Sequence, residues 1–165
     1  MNIKRIARHL LVTHWHVNKI FPHRALTAIE QAIKASEATH SGQVRFALEG
    51  ALDGAPLFEG QSARERAIEM FAQLRIWDTE HNNGVLVYLL LADRAVEIVA
   101  DRGIQTKIGS HEWEAICRKM ETAFKKDDYE GGVVRGIQEV TLHVAKHFPA
   151  TGAHLNELLD KPVLL

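Results

Sequence analysis

The chain has 165 residues, of which 46% are hydrophobic and 25% are charged, and its formal net charge is -1. This length suits one domain with a proper core and is too short for two of ordinary size. The near-neutral charge argues against a nucleic-acid-binding protein. A single cysteine, Cys117, excludes an internal disulfide framework, and its apolar helical surroundings are typical of a buried, inert thiol.

The first 22 residues form a basic segment. Residues 3–12 carry Ile3, Ile6, Leu10 and Leu11 at helical spacing, with basic residues elsewhere on the turn, which predicts a short basic amphipathic helix. The apolar run is too short for a signal peptide or a membrane span, so we expect cytoplasmic residence. The basic residues before the first acidic residue, Glu30, are Lys4, Arg5, Arg8, Lys19 and Arg24.

Two interpretations of this N-terminal helix are open. It could lie on anionic lipid, where each Lys or Arg contributes about 1 kcal/mol, or contact a membrane-associated protein. Alternatively, its apolar stripe could pack on this domain or on a second copy, which is favoured because the stripe has few large side chains. Nearby, His14 and His16 could chelate zinc, but no cysteine is close and ring stacking with Trp15 is the simpler interpretation.

The following stretch alternates between helical and extended patterns. Pro22 suits a turn into a helix over residues 24–39, which ends at Ser41-Gly42. Residues 43–49 alternate apolar and polar side chains and predict the first strand. Residues 50–61 are rich in Gly, Ala and Pro and predict a loop, after which Ser62 and Glu65 form a capping box that starts the next helix.

The second half of the chain begins with a continuous apolar run. Residues 85–91 follow the polar connector 78–83 and predict a central strand that is covered on both faces. A tight turn at Asp93-Arg94 leads to a third strand, so residues 85–100 predict a β-hairpin. Helices are expected at about 111–125 and 131–147, and the tail after Pro149 looks irregular.

This order of elements predicts an α/β fold. Strands and helices alternate so that a small mixed sheet carries helices on both faces. The first two strands are joined through a helix and should be parallel, whereas the third should return antiparallel. We expect three parts: a basic amphipathic N-terminal segment (1–22), an α/β domain (23–148) and a C-terminal tail (149–165).

Three stretches resemble the TPM-domain family. That family is named after a thylakoid-lumen phosphatase-like protein, a photosystem assembly protein and an animal receptor-associated protein. The similar stretches are Asn82-Asn83-Gly84 with its apolar strand, the Asp93-Arg94 turn and Arg102-Gly103-Ile104; Ser41-Gly42-Gln43-Val44-Arg45; and 124–132, Phe-Lys-Lys-Asp-Asp-Tyr-Glu-Gly-Gly. The likeness covers about residues 24–147.

The resemblance implies a three-layer α/β/α sandwich more firmly than it implies a reaction. Some members of the family are described as acid phosphatases or calcium binders, and others as assembly factors for membrane complexes. Better-known members usually carry a signal peptide or a membrane anchor. Neither pattern is seen here, so the chain resembles most closely a cytosolic bacterial branch of the family, with Asp101 standing where many members have a small residue.

Polar residues gather at two opposite edges of the predicted sheet. The acidic edge combines the start of the second strand with the end of the third, and it could bind Ca or Mg through oxygen ligands, with Arg102 holding a phosphate. We prefer this edge because it carries the most specific motif, although polar residues are also ordinary at turns. Its candidate metal ligands are Asp78, Glu80, Asn82, Asn83 and Asp101.

The second candidate, the carboxyl edge, lies beyond the ends of the parallel strands, where ligands of open α/β sheets usually bind. The helix after the third strand runs back toward this edge and should bring Asp127 and Asp128 there. The residues of the carboxyl edge are Glu49, Asp93, Arg94, Asp127 and Asp128.

Two functions are compatible with these patterns. A binding or assembly module near the inner face of a membrane is favoured, because of the basic N-terminal helix and the lack of a complete catalytic set. The alternative is a metal-dependent phosphatase that acts on phosphomonoesters with Ca or Mg. No Gly-x-Ser-x-Gly elbow and no phosphate-binding Gly-rich loop is found, so this activity would depend on the metal site alone.

Overall fold

The structure is a computed structural model that describes residues 2–150, 152 and 155–165. A mixed β-sheet lies between two layers of helices, which confirms the predicted three-layer α/β/α sandwich. The elements are α1 (Ile3–Leu11), α2 (His14–Ile20), α3 (His23–Glu37), β1 (Gln43–Glu49), α4 (Gly54–Phe58), α5 (Ala63–Gln73), β2 (Gly84–Leu90), β3 (Ala95–Ala100), α6 (Arg102–Gln105), α7 (Ser110–Phe124), α8 (Tyr129–His147) and β4 (Val163–Leu164).

The sheet has the strand order β3-β2-β1-β4. β1 and β2 are parallel, with Gln43 opposite Gly84 and Glu49 opposite Leu90. β2 and β3 are antiparallel, as the hairpin prediction requires. Both predicted strand directions are therefore confirmed.

Strand β2 is buried along its whole length because helices cover both of its faces. Val85, Val87 and Leu89 face the core that is shared with α3, α7 and α8. Leu86 and Tyr88 face the smaller core that is shared with α5. The continuous apolar run was thus correctly interpreted as a central strand, since a strand with a solvated face would alternate.

Local signals set the positions of several elements. The Ser62 side chain accepts from the Glu65 N–H and the Glu65 carboxylate accepts from the Ser62 N–H, which confirms the capping box at the start of α5. The chain turns between β2 and β3 at Arg94, whose φ of 51° is left-handed. Gly84 is required because a Cβ there would collide with the carbonyl oxygen of Ile76.

Several elements were not predicted. Helices α4 and α6 have five and four residues, too few for a periodic apolar pattern. In the tail, Val163 and Leu164 form a short strand parallel to β1, opposite Ala47 and Leu48. The tail is therefore not wholly irregular, and within the described residues no helix is both long enough and apolar enough to cross a membrane.

Candidate functional site

Asn83 lies at the centre of the acidic edge and is almost fully buried. Its amide Nδ2 donates to the Ser41 carbonyl at 2.7 Å. Its main-chain N–H donates to Thr79 Oγ1 at 3.1 Å. The side-chain oxygen Oδ1 is buried and has no hydrogen-bond partner among the residues that the structure describes. Asn83 is therefore held rigidly on one side while its acceptor atom stays unused.

Asp101 shows the same combination of fixed position and unused acceptor. Its N–H donates to the Gly84 carbonyl at 2.9 Å, which continues the β2–β3 ladder by one residue. Its Oδ1 accepts from the Arg102 N–H at 2.7 Å and caps α6, whereas its buried Oδ2 has no hydrogen-bond partner in the described part of the chain. An unpaired buried carboxylate oxygen is costly, so this atom is a candidate ligand atom.

The two loops that carry Asn83 and Asp101 pack backbone against backbone. The Gly103 N–H donates to the Asn82 carbonyl at 3.1 Å, and a Cβ at Gly103 would lie 2.5 Å from that oxygen. Arg102 Nε lies 3.4 Å from Asn82 Oδ1 on the exposed rim. Gly103 thus permits the close approach of the loop that carries Asp101 and Arg102 to the loop that carries Asn82 and Asn83.

The other two residues of the acidic edge have separate partners. Asp78 is exposed and pairs with Arg75 at 2.8 Å. The Glu80 N–H donates to the carboxylate of Glu157 in the tail at 3.0 Å. Among the described residues, no group of three or more His, Cys, Asp or Glu side chains could hold a metal ion. The metal site of five residues stays a prediction.

Two further carboxyl groups meet beside the amino-terminal half of β1. Burial raises the pKa of Glu37 to about 7, and the nearby Asp160 carboxylate adds to the shift. Arg45 donates to the Leu159 carbonyl and interacts electrostatically with Asp160. Carboxylates of the tail are therefore brought near the start of the sheet, an arrangement that no local sequence pattern indicates.

At the carboxyl edge, Glu49 is engaged in a closed structural network. Arg66 donates to both carboxylate oxygens at 2.8 and 2.9 Å, and the Tyr88 hydroxyl donates at 2.6 Å. Burial and then the bond to Glu49 raise the pKa of Tyr88, and the same carboxylate raises the pKa of Arg66. Both carboxylate oxygens of Glu49 are therefore hydrogen-bonded, and Arg66 neutralises the charge that a cation would need.

Asp93 attaches the N-terminal helix to this edge. Arg5 Nε donates to one carboxylate oxygen at 2.8 Å, and Arg8 donates to the other at 3.1 Å. His9 Nε2 lies 3.1 Å from the same carboxylate. Burial alone would raise the pKa of Asp93, but the contacts with Arg5 and His9 outweigh it and lower the pKa. Asp93 is thus a docking point for α1.

His9 is the buried centre of this contact. Its Nδ1 accepts from the Leu52 N–H at 2.9 Å, so a neutral His9 carries its proton on Nε2, toward Asp93. The attachment of α1 through His9 was not predicted. The spacing of Arg5, Arg8 and His9 could have indicated it, because this spacing places three polar groups on one helical face.

The remaining residues of the carboxyl edge form ordinary turn and cap structures. Asp128 caps α8 by accepting from the Gly131 N–H and pairs with Arg135 at 2.6 Å, which lowers its pKa. Arg94 and Asp127 both have left-handed backbone conformations. Burial raises the pKa of Tyr129, which Asp127 also raises and Arg94 lowers electrostatically, so Arg94 and the α7–α8 turn both lie near this ring.

The N-terminal helices expose most of their large apolar side chains. Because Arg5 and His9 turn inward, Ile3, Leu10 and Leu11 point outward and are 72%, 67% and 71% exposed. Trp15 in α2 is 64% exposed, and Lys19 lies over its ring at 5.2 Å. The interpretation that this stripe packs on its own domain is wrong for three of its four residues, since only Ile6 joins the core. We call Ile3, Leu10, Leu11 and Trp15 the N-terminal surface.

The histidines of α2 do not form a metal site with the described residues. His14 and His16 are exposed, and His16 Nδ1 lies 3.2 Å from Thr13 Oγ1. The rings of Trp15 and His16 meet edge to face at 5.2 Å. Ring contact is therefore the observed arrangement of this segment.

Comparisons with known proteins agree with this architecture. The family model for the TPM domain matches residues 18–142. The BA42 protein of the psychrophilic bacterium Bizionia argentinensis superposes with a TM-score of 0.74 and 27% identity, covering 86% of this chain and 93% of that chain. No match was found among curated proteins.

A second solved structure supports the fold alone. The N-terminal domain of a protein from P. gingivalis superposes with a TM-score of 0.64 and 15% identity, covering 82% of this chain and 83% of that one. At this identity the likeness concerns the arrangement of helices and strands, and not the chemistry of a site.

Proposed function

Since the chain belongs to the TPM-domain family, whose fold does not fix a reaction, we propose that it is a binding module that docks on an anionic membrane surface. The N-terminal surface carries this function, at the inner face of a membrane with the protein in the cytoplasm. One observation motivates the proposal: α1 turns Arg5 and His9 toward the domain and leaves Ile3, Leu10 and Leu11 exposed.

This orientation is the reverse of an ordinary surface helix. A helix on a globular protein normally buries its apolar stripe, because exposed apolar area costs about 25 cal/mol per Å². Here Arg5 and His9 occupy the inward face and Ile3, Leu10 and Leu11 remain in water. Contiguous exposed apolar side chains of this kind mark interaction sites.

The charge around the N-terminal surface favours an anionic partner. The basic residues of the segment are Lys4, Arg5, Arg8 and Lys19, and no acidic residue lies before Glu30. Asp93 is the carboxylate that both Arg5 and Arg8 contact, so excess positive charge remains. Basic residues beside exposed leucines and a tryptophan are the composition of helices that lie in the interface of anionic bilayers.

Vesicle flotation tests this proposal. We expect the full chain to float with phosphatidylcholine vesicles that contain phosphatidylglycerol, and less at high salt or without the anionic lipid. Replacing Leu10 and Leu11 by Glu should weaken binding by more than roughly tenfold, because two apolar side chains no longer enter the bilayer. Leu142→Glu is the matched control, since Leu142 is 71% exposed on α8.

The control decides how the result is interpreted. A wild-type chain that stays with the unbound fraction would reject the membrane function. Equal loss of binding in Leu142→Glu would show that any added negative charge weakens binding, which would remove the N-terminal surface as the site. Binding to a membrane-associated protein without binding to lipid would assign the surface to a protein partner instead.

As a second candidate we propose a metal-dependent phosphatase centred on the acidic edge. The supporting observation is that Asn83 Oδ1 and Asp101 Oδ2 are buried and have no hydrogen-bond partner within the part of the chain that the structure describes. Each oxygen could supply one ligand to a hard cation such as Ca or Mg, whose other ligands would be water and phosphate oxygens. When bound, the cation would polarise a phosphoryl oxygen, and Arg102 on the rim would hold the phosphate.

Asp101→Asn is the informative variant for this candidate. Asn keeps the helix cap but removes the charge, so cation-dependent turnover of p-nitrophenyl phosphate should fall by at least roughly tenfold. Glu114→Gln, which alters an exposed carboxylate paired with Arg118 outside the acidic edge, should leave turnover unchanged. No turnover with Ca, Mg or Zn would reject the phosphatase function.

A further inference from the structure

The free edge of the sheet opens into a cleft between the two helical layers. β3 is the edge strand, and α5 and α7 pack on either side of it. A cavity of about 440 Å³ lies along this edge, within the range of ligand-binding pockets. We call it the β3 cleft, and its lining includes Arg64, Val96, Ile98, Trp113, Cys117 and Glu121.

The main chain of β3 offers hydrogen-bonding groups to this cleft. In the antiparallel ladder, Ala95, Glu97 and Val99 bond to β2, which follows from the bond between the Asp101 N–H and the Gly84 carbonyl. The N–H and C=O groups of Val96 and Ile98 therefore point away from the sheet. An edge strand whose main-chain groups point away from the sheet is a template for another strand.

Two charged side chains occupy the positions that another strand would take. The Glu121 carboxylate accepts from the Val96 N–H at 3.1 Å. Arg64 donates to the Ile98 carbonyl at 2.7 Å, although half of its side chain is exposed. A carboxylate in place of a backbone carbonyl and a guanidinium in place of a backbone N–H reproduce the pattern of an added peptide.

The floor of the cleft combines apolar surface with an unused donor. Trp113 is buried, and within residues 2–150, 152 and 155–165 its indole N–H has no hydrogen-bond partner. Burial raises the pKa of Cys117 to about 12, so the thiol is neutral and has no nucleophilic role at ordinary pH. The site is therefore equipped for binding and not for covalent chemistry.

The charges that surround the cleft favour a basic occupant. Glu97, Glu114 and Glu121 face two arginines, Arg64 and Arg118. Burial raises the pKa of Glu97, and Glu121 and Glu114 add to the shift against the opposing effect of Arg64. A positively charged group of a ligand would reduce the electrostatic repulsion among these carboxylates.

We propose that the β3 cleft binds an extended, basic peptide segment, which adds to β3 as a further strand and displaces the Arg64 and Glu121 side chains. This binding site is separate from the N-terminal surface and from the acidic edge. Main-chain hydrogen bonds to Val96 and Ile98 hold the peptide, apolar side chains contact Trp113 and Cys117, and Lys or Arg side chains approach Glu97 and Glu114.

The test uses the full chain and defined peptides. The probe is a capped hexapeptide of alternating Lys and Val. Two further peptides serve as controls: one with Glu in place of Lys, and one with methyl groups on the backbone nitrogens of alternate residues. We expect the Lys peptide to shift the amide resonances of Val96 and Ile98, whereas the methylated peptide, which lacks the required N–H donors, should not bind.

Two arginine variants separate strand addition from simple charge attraction. Arg64→Ala removes the side chain that must be displaced, so the Lys peptide should bind roughly three- to tenfold more tightly, the change expected for one hydrogen bond. Arg118→Ala removes the same charge from the same cleft but leaves the main-chain contacts of β3 unchanged. Within the described residues, Arg118 forms its ion pair with the exposed Glu114. Its effect should stay below roughly twofold.

Each contrary result has a definite meaning. Equal binding of the methylated peptide, or equal tightening in both arginine variants, would overturn strand addition. An absence of shifts at Val96 and Ile98 would overturn the site, leaving Arg64 and Glu121 as protection of the edge against aggregation. Amide changes that depend on protein concentration without peptide would identify a second copy as the occupant and overturn the peptide proposal.

Discussion

The two edges of the sheet carry similar residues but differ in how those residues are neutralised. At the carboxyl edge, Glu49, Asp93 and Asp128 are paired with Arg66, Arg5 and Arg135. At the acidic edge, hydrogen bonds to the main chain fix Asp101 and Asn83. Among the described residues, Asp101 Oδ2 and Asn83 Oδ1 have no hydrogen-bond partner.

The difference between the two edges lies in which distant segments supply arginine side chains. Arg66 comes from α5 and Arg5 from the N-terminal helix, and both approach the carboxyl edge. Near the start of β1, by contrast, the tail brings Asp160 beside Glu37. A carboxylate at a turn is therefore structural or available for a ligand depending on the arginines that tertiary contacts bring to it.

The largest effect should come from breaking the Glu49 network. Glu49→Ala leaves Arg66 and the Tyr88 hydroxyl without their buried partner, so the free energy of unfolding should fall by about 3–5 kcal/mol. Urea denaturation measures this change. Glu114→Ala, which removes an exposed ion pair with Arg118, should cost no more than about 1 kcal/mol. Similar losses of stability in Glu49→Ala and Glu114→Ala would contradict the contrast between a buried and an exposed ion pair.

The next effect concerns the attachment of α1. Asp93→Ala removes the shared partner of Arg5, Arg8 and His9, and should lower the free energy of local opening of α1 by about 2 kcal/mol. Hydrogen exchange of the α1 amides measures this opening. Asp128→Ala, at the same edge, should affect the start of α8 and leave α1 unchanged. Unchanged α1 exchange in Asp93→Ala would show that other contacts hold the helix.

The pH dependence should have opposite signs in the two regions. The folded pKa of Glu37 is raised from 4.5 to about 7, so its contribution to stability is lost as the pH rises from 4.5 to about 7. The pKa of Asp93 is lowered from 3.8, so its contribution is present above 3.8 and is lost as the pH falls through the folded value.

Glu37→Gln should remove the loss of stability that wild type shows between pH 4.5 and about 7. Because Glu37 is only partly buried and water screens its charge, we expect a gain of only about 1 kcal/mol over wild type at pH values above 7. Denaturation at several pH values measures it. A variant that stays parallel to wild type through this range would show that Glu37 does not titrate there.

The smallest effect is expected at the acidic edge without metal. Asp101→Asn keeps a good helix cap, so the melting temperature should change little, by the equivalent of about 0.5 kcal/mol. Calcium should raise the melting temperature of wild type and not of Asp101→Asn if Asp101 is a ligand. An equal rise in both proteins would place the cation elsewhere.

Much of the fold could be predicted because its signals are local. The apolar run over β2, the Ser62–Glu65 box and the Asp93-Arg94 turn each depend on neighbouring residues, and each is confirmed. α4 and α6 were missed because they are shorter than the period that identifies a helix. β4 was missed because two residues carry no alternating pattern.

The candidate sites were predicted less completely. The sequence brought Asn82, Asn83, Asp101 and Arg102 to one edge, because strand direction alone decides which turns are neighbours. It also placed Asp78 and Glu80 in the same ligand set, whereas in the structure Asp78 pairs with Arg75 and the Glu80 main chain bonds to the tail. Hydrogen-bond partners of this kind depend on side-chain reach, which spacing along the chain does not encode.

By itself, the sequence determined a sheet with helices on both faces and the positions of the turns, since periodicity and turn chemistry act over a few residues, and its motifs resembled those of the TPM-domain family. Only the tertiary structure decided which charges are neutralised and which faces stay open. Arg5 reaches Asp93 across 88 positions of the chain, and that contact turns Leu10 and Leu11 outward. Electrostatic pairing between distant segments depends on their final separation in space, and for this reason the exposed N-terminal surface became visible only in the folded chain.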